Sequence, residues 1–471
     1  MNKKLFATRW VLAPLFAALV LAGCSTTPTF EPVAAPAAPL AFKEVDGRWA
    51  AIQPAEAQAR GEWWKAFADP LLDELVARAD RNNTSIQLAG ARLAQARALL
   101  RSANADRLPQ VGLGAGAQRA TASPAFGTTV PGTVLNAGAS ISYEADLFGR
   151  LAKASNAAAL DAQSREALVQ STRLLVQSDV AQTYFGLRAL DAERALVRQT
   201  VVAYRDTLRL TERRFAAGDV AELDLARVQT EVAATESQAL ALDRSRAELE
   251  HALAVLLGEV PSTLTLEESA SQTNGSDWGG VLPQVPPGVP STVLARRPDV
   301  AAAQRAMQAA QLRVGVAQAA WFPDVSLTAS GGFASTDLGD LFKWSARSWG
   351  IGALLSLPVF DGGRREAGVQ NANAQWDAAA ASYREQVLVA FREVEDQLSS
   401  LRLLADQAST QAQAVNAASR ATVLSTSRYR NGYVSQLELL DARRSELANR
   451  RLALQVRSAQ YQSTIALIRA L

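Results

Sequence analysis

The side chains that most often carry catalysis or bind metals are nearly absent from this chain. Cys24 is the only cysteine and His251 the only histidine among 471 residues. An internal disulfide, a thiolate metal cluster and a paired-histidine site are therefore excluded. The hydroxyls and carboxylates are spread along the chain, with no histidine or cysteine placed to form a nucleophile–base pair. We therefore expect a protein that is not an enzyme and that uses no cofactor.

Cys24 stands at the end of an apolar leader. A basic start, MNKKLFATRW, precedes an apolar run and the tetrapeptide LAGC. The run is shorter than the roughly 20 residues of a membrane-spanning helix, but it suits a secretory signal. LAGC resembles the bacterial lipobox, which implies a signal peptide over residues 1–23 and acyl chains such as palmitate on Cys24. Ser25 follows, which by the same resemblance favours the outer membrane. A plain signal peptide with a chance cysteine is the alternative.

The composition suits long, closely packed helices more than a deep core of large side chains. Aromatic residues make up 6% of the chain and hydrophobic residues 48%. The formal net charge is +2, and it becomes 2 − 3 = −1 if a leader carrying Lys3, Lys4 and Arg9 is removed. This balance gives no reason to expect a nucleic-acid partner. The proline- and alanine-rich stretch that opens residues 24–60 predicts an extended, lipidated tether.

Two long tracts are free of proline, one between Pro131 and Pro261 and one after Pro358. Because an interior proline breaks a helix, both tracts can form long helices. Heptad spacing runs through them, at Val176, Val180, Thr183, Leu187, Leu190, Val197, Val201, Tyr204 and Leu208, and again at Val387, Phe391, Val394, Leu398, Leu401, Ala405, Ala408, Ala412 and Val415. This pattern predicts coiled-coil helices of about 65 residues, each roughly 100 Å long.

Each predicted helix ends in nearly the same turn. RFAAGDVAELDLARVQ begins at Arg214 and RYRNGYVSQLELLDAR begins at Arg428, which is 214 positions later (428 − 214). Gly218 and Gly432 stand where the end of a helix favours a left-handed residue. The arginines place positive charge on the last helical turns, where the helix dipole favours it.

The returning helices are predicted at about 219–257 and 435–469. Asp219 with Glu222, and Ser435 with Glu438, have the spacing of capping boxes. These two boxes are not 214 positions apart, which predicts turns that differ by a residue or two. The chain is thus expected to make two long helical hairpins.

Four shorter segments alternate with period two, which predicts strands. From Leu135 to Leu147, and from Trp349 to Val359, the odd positions are apolar, and QVGLGAGAQ and DVSLTASGGF precede them. A half-buried soluble sheet would look similar. The leader, the length near 9–11 residues and the Gly, Ser and Thr on the other face favour transmembrane strands around a watery lumen.

The spacing of 214 recurs throughout the chain, for example between Val111 and Val325 and between Gly149 and Gly363. The repeated unit is a helix, two strands, a long helix, a turn and a long helix. We therefore predict an internal duplication, with a first repeat over residues 61–260, a linker over residues 261–298 and a second repeat over residues 299–471.

Four strands cannot close a barrel, and an open edge in lipid leaves backbone groups without hydrogen bonds. Bacterial barrels begin at about eight strands, so several copies must pool theirs. A dimer would supply eight strands and a trimer twelve, and the residues alone do not decide between them.

Several motifs resemble the outer membrane factors of tripartite efflux pumps, in the OprM-like or NodT-like branch of the TolC superfamily. They are the stretch FADPLLDELVARADRNNTSIQLAGARLAQARA, RRPDVAAAQ from Arg296, WFPDVSLTASGGF from Trp321 and SLPVFDGGRR from Ser356. The resemblance covers about residues 60–470. It implies a mixed α+β membrane protein, namely a homotrimer with a twelve-stranded barrel in outer-membrane lipid and a periplasmic helical coiled-coil barrel.

The resemblance also implies roles for the hairpin tips. Arg214, Gly218, Arg428 and Gly432 would mark tips that contact a periplasmic adaptor, which links the channel to an inner-membrane pump. The second hairpin would close the resting tunnel. Its gate would be Leu437 as an apolar constriction, with Glu438 and Asp441 as carboxylates around the axis. From charge alone, a solvated acidic face on a coiled coil is the alternative.

The leading functional prediction is therefore a passive duct that exports small molecules such as drugs or other toxic compounds. A duct for type I protein secretion would be built alike, and a structural lipoprotein without a pore is a third possibility. Four polar strand faces argue against the scaffold. Only Met1 and Met307 are methionines, which gives no support to a copper(I) path but does not exclude metal export.

Overall fold

A computed structural model describes residues 41–44, 61–122, 130–268, 282–283, 293 and 296–471. Its long helices and strands are α1 (Pro70–Asn82), α2 (Thr84–Ala105), β1 (Gln110–Ala122), β2 (Val130–Ala145), α3 (Arg150–Ala216), α4 (Glu222–Leu256), α5 (Pro298–Ala319), β3 (Asp324–Ser335), β4 (Arg347–Ser356), α6 (Arg364–Arg430) and α7 (Gln436–Ala470). The predicted mixture of long helices and four strands is confirmed.

The predicted duplication is also confirmed, and it is more regular than expected. Helices α2 and α5 both have 22 residues, α3 and α6 both have 67, and α4 and α7 both have 35. The prediction that the two turns differ in length was wrong. The first turn lies between Ala216 and Glu222 and the second between Arg430 and Gln436, so both ends keep the spacing of 214.

The described residues form two compact units. The first, which we call the sheet unit, comprises Arg92–Glu166 and Ala302–Arg384. Its strands form one antiparallel sheet in the order β1-β2-β3-β4. The bounds of two strands differ slightly from the prediction. Strand β4 stops at Ser356, shortly before Pro358, which cannot donate to a ladder. Strand β2 stops before Asp146, whose carboxylate accepts from the backbone N–H groups of Leu151 and Ala152 at the start of α3.

The second unit, which we call the core unit, contains the described residues of Pro36–Ala91, Ala167–Ala301 and Glu385–Leu471. Aromatic rings lie at the centre of its main core. The ring centroid of Phe185 lies 4.6 Å from that of Tyr461 and 4.9 Å from that of Phe67. Leu264 and Leu266, from the predicted linker, are buried in the same cluster. Pro70 and the Asp69 side chain start α1, because Asp69 accepts from the N–H groups of Leu71 and Leu72.

A second cluster fixes a short part of the predicted tether. Phe42 is buried in a cluster with Val394 and Leu398 of α6. Residues near the end of α7 belong to the same cluster. The backbone N–H groups of Lys43 and Glu44 donate to the Glu395 carboxylate at 2.8 and 3.0 Å. Residues 41–44 therefore lie against α6.

The predicted heptad seams are buried over only part of their length. Val387, Val394 and Leu398 of α6 are almost inaccessible to solvent, whereas Ala405 and Ala412 further along the same seam are exposed. Among the described residues, nothing covers these short alanine side chains. In the part of the chain that the structure describes, no helix is both long and apolar enough to cross a membrane.

Candidate functional site: hairpin tips and sheet faces

Both hairpin tips are closed by the same hydrogen bonds. At the first tip, the Gly218 N–H donates to the Phe215 carbonyl and the Asp219 N–H donates to the Arg214 carbonyl. At the second tip, Gly432 donates to Tyr429 and Tyr433 donates to Arg428 in the same way. These are Schellman motifs, and they need a left-handed residue, which Gly218 provides at a φ of 81° and Gly432 at 76°.

The two tips differ in how their returning helices begin. Ser435 precedes α7, and its hydroxyl accepts from the Glu438 N–H at 3.4 Å, which agrees with the predicted cap. The capping box predicted for Asp219 and Glu222 was wrong. The residue that precedes α4 is Ala221, and no side chain caps the helix there. Ala221 occupies the position that corresponds to Ser435, so the duplication placed an alanine where the second repeat has a cap.

The arginines predicted at the tips make specific contacts. The Arg214 guanidinium lies 5.3 Å from the centroid of the Tyr429 ring and donates to its hydroxyl at 3.4 Å, so this contact joins the two tips. Arg428 lies 3.8 Å from the Glu438 carboxylate, within the second tip. Gly218 and Gly432 shape the backbone and make no contact between the tips that the structure records.

The three predicted gate residues lie together on the first turns of α7. Leu437 is 39% exposed, and the side chains of Glu438 and Asp441 are 51% and 62% exposed. Glu438 and Asp441 are three positions apart and so share a helix face. Each carboxylate has an arginine nearby. Arg428 lies 3.8 Å from Glu438, and an Arg444 nitrogen lies 3.4 Å from the Asp441 carboxylate. The surface formed by the predicted gate residues of a single chain is therefore mixed in charge.

The interface that joins the two hairpins beside these residues was not predicted from the sequence. Arg444 of α7 also forms an ion pair with Glu231 of α4. The Gln436 amide donates to the Thr211 hydroxyl at 2.9 Å. Arg443 donates to the Ala203 carbonyl and, at 2.7 Å, to the Thr207 hydroxyl. The adjacent arginines at the start of α7 were the only visible signal in the sequence.

Burial changes the acid–base behaviour of this interface. Tyr204 is 1% exposed and packs with Val228, Val232 and Leu440. Desolvation raises the pKa of Tyr204 to about 12. Burial also lowers the pKa of Arg443, since removal from water disfavours the charged guanidinium. Arg443 nevertheless keeps its charge at any physiological pH.

The two faces of the sheet have opposite chemistry. Strand register places Val111, Ile141, Ala329 and Ile351 along one face, and its larger side chains are exposed, with Leu113 at 87% and Ile351 at 81%. The opposite face carries mainly small and polar side chains, at Gly112, Gly114, Asn136, Ser140, Ser142, Ser326, Thr328, Ser330, Ser348 and Gly350. Val134 and Leu354 are the larger apolar side chains on this face. The apolar face is suited to lipid, and the polar face is suited to water.

Two predictions concern bound groups, namely a lipid on Cys24 and the absence of a metal site. Cys24 lies outside the described residues. In the described ranges, no three His, Cys, Asp or Glu side chains come together as a metal site.

Comparisons with known proteins agree with this architecture. The family model described as outer membrane efflux protein matches residues 75–259 and 289–471. The solvent efflux pump outer membrane protein SrpC of Pseudomonas putida is 32% identical over 465 residues, which cover 97% of each chain. The cation efflux system protein CusC of Escherichia coli is 29% identical over 464 residues, or 98% of each chain. The CmeC outer membrane channel of Campylobacter jejuni has a TM-score of 0.84 at 26% identity, covering 95% of this chain and 94% of CmeC.

The chain therefore belongs to the outer membrane efflux protein family. It is an outer-membrane channel component of an efflux system and not an enzyme.

Proposed function

We propose that three copies of this chain pool their strands into one twelve-stranded barrel, which forms a passive export duct through the outer membrane. The observation that carries the proposal is the four-stranded sheet with one exposed apolar face. In the described part of the chain, the outer edges of β1 and β4 have no partner strand. Such edges cannot remain open in lipid, because each backbone group without a hydrogen bond there costs several kcal/mol.

The proposed barrel turns its apolar face to lipid and its polar face to the lumen. Gly112, Gly114 and the small side chain of Ser140 would leave room for solutes, and none of these residues offers a strong ligand for a particular solute. The exposed seam residues Ala405 and Ala412 support assembly, since a neighbouring copy would cover them.

The two hairpin tips would face the periplasm and contact an adaptor that links the channel to an inner-membrane pump. The first tip offers Arg214 and Gly218, and the second offers Arg428 and Gly432. The second hairpin would close the resting tunnel with Leu437, Glu438 and Asp441. The ion pair between Arg444 and Glu231 would hold that hairpin against the first one.

The cargo is inferred to be small solutes. SrpC is named for solvents and CusC for cations, so relatives that are each about 30% identical to this chain carry names with different cargo. A duct need not bind what it conducts, so the pump selects the cargo. The anchor would be a lipid on Cys24, and Cys24→Ser should abolish labelling by palmitate. Equal labelling of the wild type and the variant would refute this anchor.

The decisive experiment measures assembly and membrane insertion together. In mild detergent the protein should have the mass of three chains, whereas a monomer would refute the pooled barrel and a dimer would refute its threefold symmetry. Ile351→Lys places a charge on the apolar face, where it should cost about 2–4 kcal/mol in the bilayer and reduce the inserted fraction. Ser330→Lys, on the opposite face at nearly the same height of the sheet, is the matched control and should insert normally.

A further inference from the structure

Two arginines interrupt the otherwise uncharged apolar face of the sheet. Arg347 begins β4 and pairs with Phe333, which lies on that face. Arg119, near the end of β1, pairs with Thr133 and lies on the same face as Val111 and Leu113 by strand alternation. Both side chains are exposed. Both stand near the end of the sheet that is opposite to the helices.

The segment between β3 and β4 places one aromatic ring against Arg347 and a second against its strand partner Phe333. The Arg347 guanidinium lies 4.2 Å from the centroid of the Trp344 ring. Phe342 packs edge to face against Phe333, with 5.8 Å between ring centroids. Phe342 is 71% exposed and Trp344 is 76% exposed, so their rings project from the segment. Aromatic and cationic side chains in this arrangement are typical of the level of lipid headgroups.

The arginines have no counter-charge on this face. Within the described residues, no carboxylate lies within ion-pair distance of Arg119 or Arg347. Lys343, in the segment that precedes Arg347, is already neutralised by Asp340 at 2.5 Å. The carboxylates of β2 and β3, Glu144 and Asp324, lie on the polar face at the other end of the sheet. An external anion would therefore complete the charge balance.

We infer that Arg119 and Arg347 bind the phosphate groups of a lipid headgroup in the outer leaflet of the outer membrane. The inference rests on the proposed function, because the proposed barrel directs this end of the sheet outward. In that barrel β4 of one copy lies beside β1 of the next, so each junction brings one Arg347 and one Arg119 onto adjacent strands. Two guanidinium groups, each able to bind phosphate through two hydrogen bonds, match a glycolipid headgroup with two phosphates. The Trp344 ring would hold the Arg347 guanidinium in place through their stacking contact.

The test measures lipid binding to the purified full-length assembly by native mass spectrometry in mild detergent. The probes are bisphosphorylated lipid A, the same lipid without phosphates, and inorganic phosphate. The wild type should retain bisphosphorylated lipid A in preference to the dephosphorylated form. Replacement of both residues, Arg119→Gln with Arg347→Gln, should weaken that binding by at least about tenfold, since hydrogen bonds to charged groups are lost. The double replacement by lysine should bind with intermediate strength.

Arg365→Gln is the matched control. Arg365 also stacks on a ring, with its guanidinium 4.7 Å from the Trp321 centroid, but it is paired with Asp361 at 2.7 Å. This variant should bind lipid A as the wild type does.

Equal retention of the two lipid forms, or an unchanged double glutamine variant, would overturn the phosphate site. Displacement of the lipid by millimolar inorganic phosphate would show an ion site without lipid specificity and would also overturn it. The mass of the purified assembly distinguishes failure of the lipid site from failure of the proposed duct. A trimer without phosphate selectivity rejects only the lipid site, whereas a wild-type monomer rejects the pooled barrel.

Discussion

Two buried tyrosines of the core unit differ in the partner of the hydroxyl group. The Tyr184 hydroxyl donates to the Asp69 carboxylate at 2.6 Å, and it also accepts from Arg188. The Tyr204 hydroxyl is buried and has no hydrogen-bond partner among the described residues. A buried polar group without a partner costs about 1–3 kcal/mol.

Replacement by phenylalanine should therefore shift stability in opposite directions at these two positions. Tyr204→Phe removes an unsatisfied hydroxyl and should raise the free energy of unfolding by about 1 kcal/mol. Tyr184→Phe removes a charge-assisted hydrogen bond and should lower it by about 1–3 kcal/mol. Thermal unfolding followed by the helical circular dichroism signal measures both. A loss of stability in Tyr204→Phe would mean that its hydroxyl has a partner.

Tyr204 also predicts a specific loss of stability in alkali. Its pKa is raised from an ordinary 10.0 to about 12, so the folded state holds this proton more tightly than the unfolded state does. The free energy of unfolding is therefore fully retained below pH 10. It falls as the pH rises through 12, by at most about 2–3 kcal/mol. Tyr204→Phe should lose less stability than the wild type between pH 10 and 12, as measured by denaturant unfolding. Parallel curves for the two proteins would contradict this assignment.

Single residues were predictable where one conformation demands one residue type. Gly218 and Gly432 were predicted because a left-handed position after a helix strongly favours glycine. The ion pair between Arg444 and Glu231 was not predictable, because the partners are 213 positions apart and meet only through the packing of two hairpins. The capping box at Asp219 failed because spacing alone does not show where a helix begins.

At the scale of elements, the turn glycines allow a clean test of the hairpin tips. Gly432→Ala places a side chain at a φ of 76° and should destabilise the second tip by about 1 kcal/mol. Gly368→Ala is the control, because it lies inside α6 and an added methyl group would meet no atom within 4 Å other than those of its chain neighbours and its own helix backbone. That variant should be neutral or slightly stabilising, since alanine favours a helix over glycine.

Hydrogen exchange measures the effect locally. Peptides that span residues 428–436 should exchange faster in Gly432→Ala and at the wild-type rate in Gly368→Ala. Unchanged exchange at the tip would show that its conformation does not depend on the glycine.

Helices and strands were predictable because their patterns are local and each pattern occurs in both repeats. The absence of proline indicated where α3 and α6 could extend, and alternation indicated the faces of β2 and β4. The burial of the helical seam was less predictable. Heptad spacing marks Leu398 and Ala412 alike, but only Leu398 is covered within one chain. A period shows which face is apolar, but it does not show how much of that face is buried.

At the scale of the whole molecule, the arginine beside Asp441 makes the proposed gate testable by the sign of a change. Asp441 would attract cations into the constriction, and Arg444 partly offsets that charge from 3.4 Å. Arg444 also joins α7 to Glu231 of α4, so its loss would both expose carboxylates and release the second hairpin. Arg444→Gln should therefore increase both conductance and cation selectivity in planar bilayers. Leu437→Ser together with Asp441→Ala should increase conductance and decrease cation selectivity.

The first hairpin provides the control for this gate prediction. Asp224 occupies the position that corresponds to Glu438, and it forms an ion pair with Arg227 at 3.6 Å. Asp224→Ala therefore removes a similar charge at a place away from the proposed constriction. It should leave conductance and selectivity nearly unchanged. The differences among the gate variants should shrink at 1 M salt, where the Debye length falls to about 3 Å. If the variants remain trimeric and all conduct as the wild type does, Glu438 and Asp441 form a solvated coiled-coil face. Opposite shifts in selectivity for Arg444→Gln and the Asp441 variant would instead require both charges to face the permeating ions.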